Sequence, residues 1–197
     1  MNGVPRETRQ RLQRFVALLI EWNKSIRLVA RADQQELWSR HVDDCLSLLS
    51  MLPATARTLV DVGSGAGFPG LVLAIARPDL AITLVEADRR KAAFLAEAAR
   101  VSGTNVRVVA ARIEQARLAA DVVTARAVAP LTDLLGLTRP LLNAGAVGLF
   151  MKGSAAAHEL GRARTQWTVD MQLIPYAGGA IIRVIGPLAE HRSRGEP

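Results

Sequence analysis

The stretch Leu59-Val60-Asp61-Val62-Gly63-Ser64-Gly65-Ala66-Gly67-Phe68-Pro69-Gly70 leaves this chain few folds to choose from. A short apolar run with β-branched valines reads as a buried strand, and it ends on three glycines at alternate positions. Glycine there permits a positive φ and lets the backbone approach a bound molecule with no Cβ in the way. Pro69 suits the first turn of a helix, and Leu71, Val72 and Ile75 then fall on one face. Strand, glycine turn and helix open a nucleotide-type site, with the ligand expected over the helix N-terminus.

The spacing narrows the ligand. A dinucleotide fingerprint is G-x-G-x-x-G, and here Phe68 stands at its last glycine. Asp61 instead precedes a G-x-G-x-G run, and Glu86 ends a second apolar run, Ala81-Ile82-Thr83-Leu84-Val85. A carboxylate at the carboxyl end of that neighbouring strand can accept both hydroxyls of a ribose. The pattern resembles the adenosylmethionine-dependent methyltransferases. A tight turn in an α/β protein with no nucleotide is the plainer alternative.

Downstream, strand and helix alternate. Arg77-Pro78-Asp79 breaks the first helix, and Arg89 to Ser102 reads as a helix closed by Gly103. Strands follow at Asn105–Val109, Asp121–Arg126 and Ala144–Met151, with a helix from Pro130 to about Leu142 that Gly136 and Pro140 should bend or interrupt. After Gly153, small residues lead to two β-prone stretches, Trp167–Ile174 and Ala180–Ile185. Such repeats predict a doubly wound α/β fold, a mostly parallel seven-stranded sheet with helices on both faces. Upstream, Leu12, Phe15, Val16, Leu19 and Trp22 keep helical spacing within residues 5–24. A second helix is expected from Asp33, a capping residue with Glu36 three positions on, to Pro53. Within it Arg40, His41 and Asp44 form a polar cluster, which reads either as an interhelix hydrogen-bond network or as part of a site. The expected plan is one domain over 1–197: N-terminal helices over 1–53, a core over 58–186 and a polar tail over 187–197.

A 197-residue chain with 50% apolar residues can bury a full core. No apolar run approaches the ~20 residues that span a bilayer. With Cys45 as the lone cysteine, no internal disulfide or cysteine-built metal site is expected, and neither a metal nor a membrane partner is assigned. A cytoplasmic monomer is the expectation. The net charge is +7, and 22 of the 25 basic residues are arginine, which suits a polyanionic partner. Aromatic residues at 4% argue against a stacking platform for single strands.

Several motifs occur in order: Arg40-His41-Val42-Asp43-Asp44, Asp61 to Gly70, Ile75-Ala76-Arg77-Pro78, Arg112-Ile113-Glu114, Thr124-Ala125-Arg126-Ala127 and Met151-Lys152-Gly153. Together they resemble the family of the bacterial ribosomal RNA small subunit methyltransferase G, also called glucose-inhibited division protein B, over roughly residues 20 to 153. The resemblance implies transfer of a methyl group from S-adenosyl-L-methionine to N7 of a guanine in 16S ribosomal RNA, free or in the small ribosomal subunit. It implies cofactor contacts at Gly63 and Phe68, at Ile113 and Glu114 beside the adenine, and at Arg126, which would also meet the incoming nucleotide. Glu86 is assigned to the ribose from its strand-end position, where the family often has aspartate. Arg126 and Lys152 are assigned to RNA binding, and no catalytic side chain is assigned, because guanine N7 has a lone pair and no proton to lose. Cys45 departs from the family, where serine commonly follows the aspartate matched by Asp44. A nicotinamide-dependent oxidoreductase and a non-catalytic nucleotide- or RNA-binding protein of the same fold are the rival readings.

Overall fold

The computed structural model describes residues 4–30 and 34–191. At the centre of a seven-stranded sheet lies β1 (Thr58–Val62), flanked on one side by β2 (Ala81–Val85) and the edge strand β3 (Arg107–Val109). On the other side come β4 (Val122–Arg126) and β5 (Val147–Lys152), with β6 (Trp167–Tyr176) at the edge and β7 (Gly179–Glu190) inserted between β5 and β6. The first five strands pair in parallel, and β7 runs antiparallel to both neighbours. The chain reverses its direction of winding between β1 and β4, and ligand crevices open at the carboxyl ends of strands at such a switch point.

Side chains alternate across each strand, so one strand feeds two cores. Leu59 and Val122 pack with α1 (Arg6–Trp22), α4 (Gly70–Ala76) and α5 (Arg89–Ser102). Val60, Val62 and Val123 pack with α6 (Leu131–Asn143) and α7 (Ala156–Gln166). The α1 stripe is fully buried at Leu12, Phe15, Val16 and Leu19, each contributing ~1.5–3 kcal/mol. Phe15 meets Phe68 edge-on at 5.4 Å, which ties this helix to the glycine turn. Arg11 caps α5 by donating to the carbonyls of Ser102 and Gly103.

Some boundaries differ from expectation. Residues 34–51 change helical register: α2 (Gln34–Leu37), a π-turn (Trp38–Val42), α3 (Asp43–Leu46) and a 3-10 turn (Ser47–Met51). The capping position Asp33 lies outside the described residues. Pro69 precedes α4 instead of opening it. The helix α6 is continuous through Gly136 and Pro140, although Pro140 has no N–H to return to the Gly136 carbonyl. Ala144 to Ala146 cap α6 with amides returned to Leu141 and Leu142, so β5 starts only at Val147. The serine- and alanine-rich stretch after Gly153 forms α7, which the sequence did not announce. The last strand continues to Glu190 with Leu188 buried, so the expected tail from 187 is partly strand, and its end at 192–197 is outside the described residues.

Candidate functional site

Gly63, Gly65 and Gly67 turn the chain beyond β1 with φ of 63°, 53° and 90°. A Cβ at Gly63 would come 2.6 Å from Val128 Cγ2, so the loop after β4 excludes a side chain there. A Cβ at Gly65 would meet nothing nearer than the Gly63 oxygen at 3.6 Å, and here the left-handed backbone is the constraint. Beneath the turn Asp61 is fully buried. Its Oδ1 accepts from Thr124 Oγ1 at 2.7 Å and its Oδ2 from the Gly70 amide at 3.2 Å. Burial raises the Asp61 pKa to about 6 against the lowering effect of those two bonds. The first amide of α4 is therefore turned inward to Asp61, not offered to a ligand.

Glu86 stands directly after β2 and braces the same turn. Its Oε2 accepts from the Gly65 amide at 2.9 Å, and its Oε1 accepts from the Asp88 amide at 2.8 Å. Gly63, Phe68, Glu86, Ile113, Glu114 and Arg126 all border one cavity of about 500 Å³. Ile113 and Glu114 reach it from a 3-10 turn (Ile113–Gln115) that follows β3. The sequence reading missed Leu28, Val29 and Val128, which complete the wall, and did not assign His41 to it. Asn23 shapes the first two by accepting from both their amides at 2.8 and 3.1 Å. An asparagine just past a helix end is a turn signal that could have drawn attention to them.

Arg126 lies where this cavity meets two others, of about 520 and 750 Å³. Its guanidinium spans the gap to the π-turn, donating from Nη2 to the Arg40 carbonyl at 2.9 Å and approaching Asp44 Oδ2 at 3.5 Å. A wider helical turn leaves a carbonyl free for such an outside donor, and π-turns of this kind recur at functional sites. The next residue, Ala127, has φ 56°, a left-handed conformation costly for any residue with a Cβ. Lys152 supports that loop. Its Nζ is buried, donates to the Ala129 carbonyl at 2.6 Å and pairs with Glu159 Oε2 at 2.9 Å. The same Glu159 oxygen accepts the Leu131 amide at 2.7 Å. Lys152, expected against RNA phosphates, is thus bonded within the fold in this structure.

His41 stacks beside Phe68 with ring centroids 5.0 Å apart, and its Nδ1 is buried without a hydrogen-bond partner among the described residues. Burial, with Arg126 and Arg40 close by, lowers its pKa to about 4, so the imidazole is neutral at pH 7. No hydrogen-bond network joins His41 to Asp44 among the described residues. The described residues contain no group of three or more potential metal ligands.

The family model described as rRNA small subunit methyltransferase G matches residues 8–177. A ribosomal RNA small subunit methyltransferase G of Gluconobacter oxydans is 47% identical over 188 residues, covering 93% of this chain and 96% of its own length. That of Granulibacter bethesdensis is 50% identical, covering 88% and 82%. Among solved structures, the ribosomal protein L11 methylase from Lactobacillus delbrueckii subsp. bulgaricus aligns with a TM-score of 0.57 at 14% identity, over 83% of this chain and 82% of that one. The structure of M. jannaschii TYW2 in complex with AdoMet aligns at 0.54 and 16%, over 76% and 74%. These two likenesses concern the fold alone.

Proposed function

We propose that this chain, which belongs to the rRNA small subunit methyltransferase G family, transfers a methyl group from S-adenosyl-L-methionine to N7 of a guanine in 16S ribosomal RNA. The observation that carries the reading is the convergence of groups from the ends of β1, β2 and β4 and from the turn after β3 on one cavity above a left-handed glycine turn. The cavity suits the cofactor. Space lies open where a Cβ at Gly65 would stand, and a mostly buried carboxylate faces a partly apolar wall. Glu86 would accept the ribose hydroxyls, Ile113 and Glu114 would flank the adenine, and Gly63, Phe68 and Arg126 would complete the contacts.

When bound, S-adenosyl-L-methionine supplies a methyl group on a sulfonium, electrophilic without further activation. Guanine N7 already carries its lone pair, so the protein's task is to exclude water and fix the line of approach. Positioning of that kind contributes up to ~7–11 kcal/mol. A general base is unnecessary, and the neutral His41 is suited to a hydrogen bond more than to proton transfer. Arg126 would orient the incoming nucleotide, while Lys152 would hold the loop 127–130 in place. The exposed Arg40, Arg112 and Arg162 stand at the rims of the three cavities, where a polyanion would approach. No helix of the described residues is long and apolar enough to cross a membrane, which is compatible with a cytoplasmic ribosomal substrate.

Calorimetric titration with S-adenosyl-L-methionine and with NAD separates this reading from its rivals. Saturable binding of one S-adenosyl-L-methionine per chain and none of NAD is expected. Binding of NAD alone would point to hydride transfer, and binding of neither to a fold without its cofactor.

A further inference from the structure

The Arg40-His41-Asp44 cluster has a place in the fold and so far no task. It lines the third cavity, about 750 Å³, together with Arg126, Tyr176 and Gly178. His41 and Arg126 are the residues this cavity shares with the cofactor cavity, so they form the boundary between the two. Asp44 sits on the far side of that boundary. Its side chain is 9% exposed, and its one side-chain hydrogen-bond partner among the described residues is Arg126, at the long distance of 3.5 Å. An ionised carboxylate offers about four acceptor positions, so Asp44 keeps acceptor capacity for a ligand in the cavity it lines. The second cavity has no such vacancy, because Glu159 is already shared between Lys152 and the Leu131 amide.

Two adjacent N–H donors in one plane would satisfy Asp44. Guanine presents that pair, N1–H and the 2-amino group, on its Watson–Crick edge. Adenine has no proton on N1, and in uracil the single N3–H lies between two carbonyls. Guanine N7 lies on the opposite edge of the ring. A guanine held by Asp44 through that edge would therefore keep N7 free, in a cavity that shares His41 and Arg126 with the cofactor cavity. Tyr176, the one tyrosine of the chain, supplies an aromatic wall beside it.

We propose that the cavity between the π-turn and residues 176–179 receives the substrate guanine, and that Asp44 selects it by accepting from its N1–H and 2-amino group. The inference rests on the function proposed above and names the specificity residue of that reaction. Its test uses small ribosomal subunits from cells lacking this protein, with the methylated guanine mapped beforehand. A second set is reconstituted with inosine at that position, which keeps N7, O6 and N1–H but lacks the 2-amino group. The unaltered protein should methylate the inosine particles with kcat/KM lower by about tenfold or more, as expected for losing a hydrogen bond to a charged group. Asp44→Ala should lose about ten- to hundredfold on guanine and no longer distinguish the two particles, with its cofactor Kd within about twofold of the parent. The isosteric Asp44→Asn, which keeps one acceptor, should fall between them and covers the case in which the alanine variant does not fold. Variants that retain the parent's guanine-to-inosine ratio, or that lose activity only in step with cofactor binding, would overturn the assignment. An unaltered protein that methylates neither particle would instead overturn the function on which it rests.

Discussion

Glu86 serves the glycine turn and the ligand site with the same two oxygens, which already accept from Gly65 and Asp88. Its removal should therefore weaken S-adenosyl-L-methionine binding by about ten- to hundredfold, the usual value of hydrogen bonds to a charged group. Calorimetry of Glu86→Ala measures this, and an unchanged Kd would take the residue out of the site. His41 leads to a second expectation at this scale. With its pKa lowered to about 4, it does not titrate between pH 6 and 9. Single-turnover methyl transfer at saturating cofactor and RNA should be nearly flat over that range, and His41→Asn should leave the shape unchanged. An acidic limb that vanishes in the variant would make His41 a proton carrier. That Glu86 would stand beside the glycine turn was legible from its position at a strand end, whereas Gly63 and Phe68 were assigned to the cofactor through the family resemblance; all three border the cavity. Asp44 and His41 were visible as a pair and no more, because Asp44 faces Arg126, 82 residues away, and His41 faces Phe68 in another segment.

Among the elements, the strands were legible wherever an apolar run is bounded by turn residues, as at Ala81–Val85, which matches residue for residue. The helix α7 was not, since it opens on small residues with no side-chain cap and depends on partners far along the chain. Its Glu159 pairs with the buried Lys152 and takes the first free amide of α6. Glu159→Ala would leave an ammonium buried and unpaired, which should destabilise the protein by about 3 kcal/mol. Chemical denaturation tests this, and a loss below about 0.5 kcal/mol would mean that the clamp is dispensable. The π-turn was equally hidden. Sequence periodicity shows that residues 34–51 are helical but cannot show that Arg126 will take a carbonyl from the middle of the run.

The molecule as a whole carries two groups whose titrations oppose each other, the fully buried Asp61 and the half-buried His41. Asp61 has a folded pKa of about 6, raised above its unfolded value near 3.8, so the native state binds the extra proton between those limits. Its contribution to stability falls as pH rises from about 4 to 6. His41 has a folded pKa of about 4 against 6.5 unfolded, so there the unfolded state binds the extra proton and stability rises over the overlapping window. Each shift corresponds to roughly 3 kcal/mol at most, and the two largely cancel. Stability measured against pH should therefore gain a rising slope between pH 4 and 6.5 in Asp61→Asn relative to the parent, and a falling slope in His41→Asn. Parallel curves for all three proteins would show that neither shift is present.

The central claim is chemical, that the cavity at the switch point of the sheet serves methyl transfer to guanine N7. Its most direct test is incubation of small ribosomal subunits from cells lacking this protein with methyl-labelled S-adenosyl-L-methionine, followed by digestion of the 16S RNA and identification of the labelled nucleoside. One N7-methylguanosine per particle is the predicted product. Label on any other atom or nucleoside, or no label at all, would contradict it.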